Sequence, residues 1–320
     1  MDTHDSTVPL VLRKLADSLG TEIKDRKLEI PARFGSGYCT GFIFNEYIRM
    51  LISNYELNDN INIENKDFNP SRRMLFFKFQ NVFPKDKTSS EGKNRSDLPS
   101  VLIGTSRINT DGVIAIHSNT ATINIEIDAE YLSGMFLSSH QSPVLQGLLK
   151  NAQPFLFEQM IHPALQHVVD EIISDHTEDV FKLYFLRLKA EELICRLLIE
   201  LEKRDEQQVY ALNLQDIKTI YQIKEKILRQ LENPPVIKDL AIESGMSPTK
   251  LKRLFKQIFG NSIFSYYQEF RMKEAAFLLK DKRYTVSEVG YMLGFTNLSH
   301  FSKVFREHLG MKPKQYSMLY

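Results

Sequence analysis

Tryptophan is absent from the 320 residues, cysteine occurs only twice, and glycine and proline are sparse at 14 and 12. Two cysteines, Cys39 and Cys195, without a Cys-x-x-Cys pair, are too few for a disulfide framework or a thiolate zinc site. Each is read as an inert thiol in a reducing compartment. The low glycine and proline content excludes collagen-like and low-complexity chains. No run reaches the ~18–20 apolar residues of a membrane span. The most apolar long segment, 181–201, is interrupted by Lys182, Arg187, Lys189, Glu191, Glu192 and Arg196. The start, Met1-Asp2-Thr3-His4-Asp5, has neither a basic nor an apolar region, so no signal peptide is expected and the expected location is cytoplasmic. Net charge is nearly absent as well: 41 Lys and Arg stand against 40 Asp and Glu.

What is present suits a folded protein. Hydrophobic residues make up 42% and charged residues 25%, enough apolar material for a sizeable core, and the length suggests two domains. The near-neutral charge is a cancellation. Residues 1–210 carry 23 basic and 30 acidic side chains, whereas residues 211–320 carry 18 and 10. A basic C-terminal third on an acidic body is the asymmetry of a nucleic-acid-binding module, although a solvated basic surface has the same composition.

From about residue 27 to 130 short runs rich in β-branched and aromatic residues alternate with Asn, Asp, Gly and Pro clusters, which predicts an antiparallel barrel or sandwich. Thr122-Ile123-Asn124-Ile125-Glu126-Ile127 alternates as a half-buried strand should. Residues 85–98 are polar and read as an exposed loop. Helical patterns follow. The longest, 178–204, has Leu186, Ala190, Leu193 and Leu197 on one face and Tyr184, Leu188, Cys195 and Ile199 on another. Packing on its own domain and pairing with a second copy both fit so wide a stripe. The resulting plan is a β-rich domain at 1–135, a helical packing or dimerisation segment at 136–204, a linker at 205–215 and a helical domain at 216–320.

The last segment is the most regular. Ile217, Ile220, Ile223, Ile227 and Leu231 mark one helix, stopped by Asn233-Pro234-Pro235. A short helix follows, with Leu240 and Ala241 inward and Gly245 as the turn. Ser247 caps the next helix, and Pro248 takes its first position, where a missing N–H costs nothing. That helix turns Leu251, Leu254, Phe255 and Ile258 inward and Thr249, Lys250, Lys252, Arg253 and Lys256 outward. Helix, glycine turn and basic-faced helix make a helix-turn-helix. The pattern then recurs. Leu251-x-x-x-Phe255-x-x-x-x-Gly260 matches Phe301-x-x-x-Phe305-x-x-x-x-Gly310 at an offset of 50 residues, with Thr285 and Asn297 as caps and Gly294 as the turn.

These residues carry a resemblance. Leu240-Ala241, Ser247, Leu251, Arg253, Phe255, Gly260, Tyr267, Arg271 and Ala275, then Val286, Val289, Gly294-Phe295, Asn297, Ser299-His300-Phe301, Lys303, Phe305-Arg306, Gly310, Pro313 and Tyr316, resemble the DNA-binding domain of the AraC/XylS transcriptional regulators. Gly290 departs from the family's usual Ala. The resemblance implies an α+β protein: an N-terminal cupin-like β-barrel with helices, then an all-α seven-helix double helix-turn-helix. The run from Ile30 through Gly35-Ser36-Gly37 to Phe79 is similar to the siderophore-responsive branch. The resemblance further implies a bacterial, effector-responsive activator, not an enzyme and without a cofactor. Its implied partners are a double-stranded DNA operator, RNA polymerase, a small-molecule effector such as a ferric siderophore, and a second copy in a homodimer.

Base-reading residues are expected at Thr249, Lys250, Lys252 and Arg253 on the first recognition helix and at Leu298, Ser299, His300 and Lys303 on the second, since exposed polar side chains of a helix in the major groove reach base edges. Lys256, Arg306, Lys312 and Lys314 are the expected phosphate ligands. The connecting helix, 262–280, would span about 28 Å, close to one DNA turn of about 34 Å. In the N-terminal region Arg72, Arg73 and Phe76 are the candidate effector contacts, although a solvated strand start also accounts for the arginines. Phe34, Tyr38, Phe42 and Phe44 suit either a pocket or a core. The lone His117 predicts no metal site. Cys39 would be the nucleophile if the domain were instead a DNA-repair alkyl acceptor.

Overall fold

The computed structural model describes residues 8–59, 61–64, 73–83, 99–105, 113–116, 119–136, 142–174, 177–204, 210, 212–280 and 283–319. The chain divides into two compact units, the second beginning at Leu214.

The first unit opens with α1 (Leu10–Leu19), ended by Gly20 in the left-handed conformation at φ 61°. Nine strands follow among the described residues: β1 (Lys27–Glu29), β2 (Gly35–Ile43), β3 (Ile48–Leu57), β4 (Ile61–Glu64), β5 (Met74–Gln80), β6 (Ser100–Thr105), β7 (Val113–Ile116), β8 (Asn119–Asp128) and β9 (Leu156–Met160). Helices α2 (Ala129–Gly134) and α3 (Pro143–Lys150) precede β9, and α4 (Pro163–Ile173) and α5 (Asp179–Glu202) follow it. Asp128 caps α2 by accepting the Glu130 and Tyr131 N–H groups, and the Ser142 hydroxyl accepts that of Leu145 at the start of α3. Seven strands form one antiparallel sheet in the order β1-β2-β3-β8-β5-β6-β9, while β4 and β7 pair with each other.

Alternation sends Leu75, Phe77 and Phe79 of β5 and Ile123, Ile125 and Ile127 of β8 to one face, where they are almost fully buried. Leu186, Ala190, Leu193 and Leu197 of α5 join them in a single apolar cluster. A smaller cluster joins Leu12, Leu15 and Leu19 of α1 to Leu28, Cys39, Tyr55 and Leu57. β3 serves both: Ile48, Met50 and Ile52 belong to the first cluster, and Tyr55 and Leu57, on the opposite face, to the second.

The expected mixture of α and β structure is present, but the seven-stranded sheet does not close into a cupin-like barrel. Its edges are β1 and β9, and the described β4 and β7 hydrogen-bond only to one another. β9 also lies in the 136–204 segment, which was expected to be helical. Its five residues, Leu156 to Met160, are too few for a period, and the strand exists through its pairing with β6. Gly35-Ser36-Gly37 opens β2. Gly35 and Gly37 take φ of +148° and +101°, and a Cβ at Gly37 would lie 2.3 Å from the Asn54 carbonyl oxygen. These glycines thus allow β2 to approach β3.

The second unit is helical: α6 (Leu214–Arg229), α7 (Ile237–Ser244), α8 (Pro248–Phe259), α9 (Ile263–Lys280), α10 (Val286–Met292), α11 (Leu298–Leu309) and α12 (Pro313–Ser317). α7–α8 and α10–α11 are the two helix-turn-helix pairs, and α9 connects them. Tyr266, Tyr267, Phe270, Met272, Ala275 and Leu279 of α9 are all buried, on more than one face, because α6, α8, α10, α11 and α12 all pack on it.

Gly37→Ala should cost about 1–3 kcal/mol, the range for a backbone forced into a sparsely allowed region, with displacement of β3 adding to it. Thermal unfolding followed by far-ultraviolet circular dichroism measures this; an unchanged Tm would show that the β2–β3 contact is not tight.

Candidate nucleic-acid interface

α8 begins where the Ser247 hydroxyl accepts the Lys250 N–H at 3.2 Å, and it ends at Gly260, with φ 73°. Its inner face, Leu251, Leu254, Phe255 and Ile258, is buried. Thr249, Lys252, Arg253 and Lys256 are exposed on the outer face. Lys250 differs from them: its ammonium donates to the Asp216 carboxylate of α6 at 2.8 Å, and the residue is half-buried.

α11 repeats the arrangement. Asn297 accepts the Ser299 and His300 N–H groups at 2.9 and 3.1 Å, and Gly310 ends the helix at φ 77°. Phe301, Val304 and Phe305 are buried, while Ser299, His300, Lys303 and Arg306 are exposed. The His300 ring lies 5.7 Å from that of Phe295, which keeps it beside the turn. Leu298 is half-buried, and a Cβ on Gly290 would meet its Cδ2 at 2.7 Å. The glycine at 290 therefore admits the Leu298 side chain, which packs back onto α10. Lys312 and Lys314 are exposed at the start of α12, on either side of the buried Pro313.

α8 and α11 thus each expose cations along one side, an arrangement that suits a polyanion. The two turns differ by one residue: Gly245 follows α7 directly, whereas Leu293 precedes Gly294. Two α9 residues, Tyr267 and Arg271, belong to the matched motif but offered no role by periodicity. The sign that could have marked them is a tyrosine and an arginine four apart, on one face of a helix that is otherwise largely apolar.

The N-terminal candidates do not assemble into a comparable site. Arg72 and His117 lie outside the described residues. Arg73 is exposed just before β5, where its carbonyl accepts the Ala129 N–H. Phe76 is half-buried, with its ring across Gly104 on the neighbouring strand. Phe42, Tyr38 and Phe44 pack with the large cluster and Phe34 with the small one, so these aromatics do not line one pocket. Cys39 is buried with its sulfur 3.1 Å from the Ser53 hydroxyl oxygen, and burial pushes its thiol up to about 12. A buried thiol held protonated is a poor nucleophile. Among the described residues no three His, Cys, Asp or Glu side chains cluster as metal ligands, and no helix is long and apolar enough to cross a membrane.

Residues 240–318 match the family described as a helix-turn-helix domain. Over 84 residues, 26% of this chain and 23% of the relative, the sequence is 36% identical to the HTH-type transcriptional regulator GbdR of Pseudomonas aeruginosa. It is 30% identical over 170 residues, 50% of this chain and 53% of the relative, to an uncharacterized HTH-type transcriptional regulator of Haemophilus influenzae. It is 34% identical over 71 residues, 22% of this chain and 24% of the relative, to the arabinose operon regulatory protein of Escherichia coli. The chain thus spans between about a quarter and about half the length of these curated relatives. Its C-terminal region is a helix-turn-helix DNA-binding domain of the AraC type.

Removing either cap, by Ser247→Ala or Asn297→Ala, should cost about 1 kcal/mol. Chemical denaturation read by circular dichroism would show the loss, and full retention of stability in both variants would mean that the caps do not hold these helices.

Proposed function

We propose that this chain is a bacterial transcriptional regulator that binds a double-stranded DNA operator through α8 and α11 and responds to an effector held by its N-terminal unit. The observation that carries the reading is the structural repeat: two capped helices, each with an apolar inner face and a cationic outer face, joined by one shared connecting helix. Thr249, Lys252 and Arg253 of α8 and Ser299, His300 and Lys303 of α11 are the base readers. Arg253 is suited to bidentate contact with guanine, worth about 1–3 kcal/mol of discrimination. Lys250 and Leu298 complete the set after leaving Asp216 and Gly290. Lys256, Arg306, Lys312 and Lys314 hold phosphates, which position the duplex without reading it.

The reading includes activation of transcription in the cytoplasm with RNA polymerase as a partner, and the likeness to HTH-type transcriptional regulators supports its regulatory part. For the effector, a small molecule such as a ferric siderophore is the favoured class, with Arg72, Arg73 and Phe76 as its contacts. The reading needs no enzyme chemistry and no cofactor.

Homodimerisation is assigned to α5. Val180, Phe181, Tyr184, Leu188 and Ile199 are exposed along it, opposite the buried Leu186, Ala190, Leu193 and Leu197. Replacing Tyr184 and Leu188 by Lys should leave the fold intact and yield a monomer in sedimentation equilibrium; an unchanged mass would place any self-association elsewhere.

Reversing charge at Lys252 and Arg253, each to Glu, should abolish site-specific retardation of operator DNA in gel-shift titrations. Wild-type affinity should also fall by about 0.9 log unit per log unit of salt for each neutralised phosphate. Unchanged affinity in the charge-reversed variant would overturn the assignment of α8 as a reader.

A further inference from the structure

The turns of the two helix-turn-helix pairs have different surroundings. Gly245 takes φ +63°, and a Cβ there would meet nothing within 4 Å. Gly294 takes φ +76°, but a Cβ there would lie 2.1 Å from the carbonyl oxygen of Glu232. Glu232 belongs to the first half of the domain, in the turn after α6, and Gly294 to the second. The backbones of the two halves therefore touch at this glycine.

Two residues of the connecting helix close over the same joint. Tyr267 is fully buried and its hydroxyl donates to the Leu231 carbonyl at 2.8 Å. Arg271, one helical turn later and only 5% exposed, donates from Nε to the Leu293 carbonyl at 2.7 Å. Its guanidinium lies 3.6 Å from the centre of the Phe295 ring and 5.3 Å from that of Tyr267. One donor thus holds the residue before Glu232, and the other holds the residue before Gly294. A buried guanidinium is costly unless its donors and its faces are engaged, so Arg271 fixes the turn that surrounds it.

We infer that Tyr267 and Arg271 are positioning residues that lock α8 and α11 into one rigid reader, so that the protein selects the spacing between two major-groove segments as well as their sequence. This rests on the reading of α8 and α11 as DNA-binding helices. With the joint closed, neither helix can follow a displaced groove segment. Inserting two base pairs between the segments rotates one against the other by about 70°, since a turn holds about 10–10.5 base pairs. A locked reader loses one whole set of base contacts on that duplex. A hinged reader keeps both.

The test uses the full chain and duplexes that the wild-type protein itself selects from a random-sequence pool. Each selected duplex is compared with a version carrying two inserted base pairs and with one in which a single groove segment is retained. The wild type should bind the inserted duplex about 30-fold more weakly than the parent, the scale expected for losing one or two base readings. In Tyr267→Phe/Arg271→Lys and in Gly294→Ala, that ratio should fall to about threefold, with affinity for the single-segment duplex preserved. Gly245→Ala shares the backbone strain without the contact and should keep the wild-type ratio. Tyr267→Phe alone retains the ring packing and, if the double variant does not fold, should still lower the ratio. Variants that bind all duplexes more weakly but keep the wild-type ratio would overturn the positioning role. A wild type that enriches no sequence from the pool would instead overturn the DNA-reading function itself.

Discussion

The second helix-turn-helix is built around the approach of one backbone to another at Gly294. The left-handed φ suits any glycine turn, and Gly245 shows the same conformation with open space around it. What sets Gly294 apart is that a carbonyl from the other half of the domain occupies the place of its side chain. The burial of Arg271 follows from this. Once the two turns touch, the Leu293 carbonyl is closed off from water and needs a donor, and the connecting helix is the element near enough to supply one. Stacking on Phe295 then covers the guanidinium face. Burial lowers the pKa of Arg271 and raises that of the Tyr267 phenol. Arginine retains its charge under such a shift, which makes it a better buried cation here than lysine would be.

The C-terminal unit was legible in the sequence because its determinants are local. Ser247, Thr285 and Asn297 sit where caps are needed, and Gly260 and Gly310 end the helices that the 3.6-residue period marked out. Helix boundaries moved by a residue or two, as in α9, which begins at Ile263. The joint was not legible. It depends on a hydroxyl meeting a carbonyl 36 residues away and on a guanidinium meeting one 22 residues away. No spacing rule reports such partners, although both residues stood in the matched motif.

In the N-terminal unit the strands were visible but their order was not. Alternation located β8, yet it could not place β8 between β3 and β5, because strand pairing joins segments distant along the chain. The open edge at β9 escaped notice for the same reason. Aromatics posed a different problem. Phe34, Tyr38, Phe42 and Phe44 lie close in the sequence, but Tyr38, Phe42 and Phe44 pack with the large apolar cluster and Phe34 with the small one. Period-2 alternation says which residues share a face of one strand; it does not say which face encloses a ligand and which a core.

Charge separation between the two units also needs its local detail. A net excess of cations in residues 211–320 is a sum, and the structure shows that its members are differently placed. Lys250 is neutralised by Asp216 and Lys226 by Glu243, both within the domain. Lys252, Lys256, Lys303 and Arg306, by contrast, are exposed on the outer faces of α8 and α11. An ion pair of this kind also removes a cation from the field around the helix face it stands on. The Lys250–Asp216 pair thus leaves Lys252 and Lys256 as exposed cations of α8. Lys252 and Arg253, two and three residues after Lys250, are exposed on the outer face, and they are the side chains to which the proposed function gives base reading.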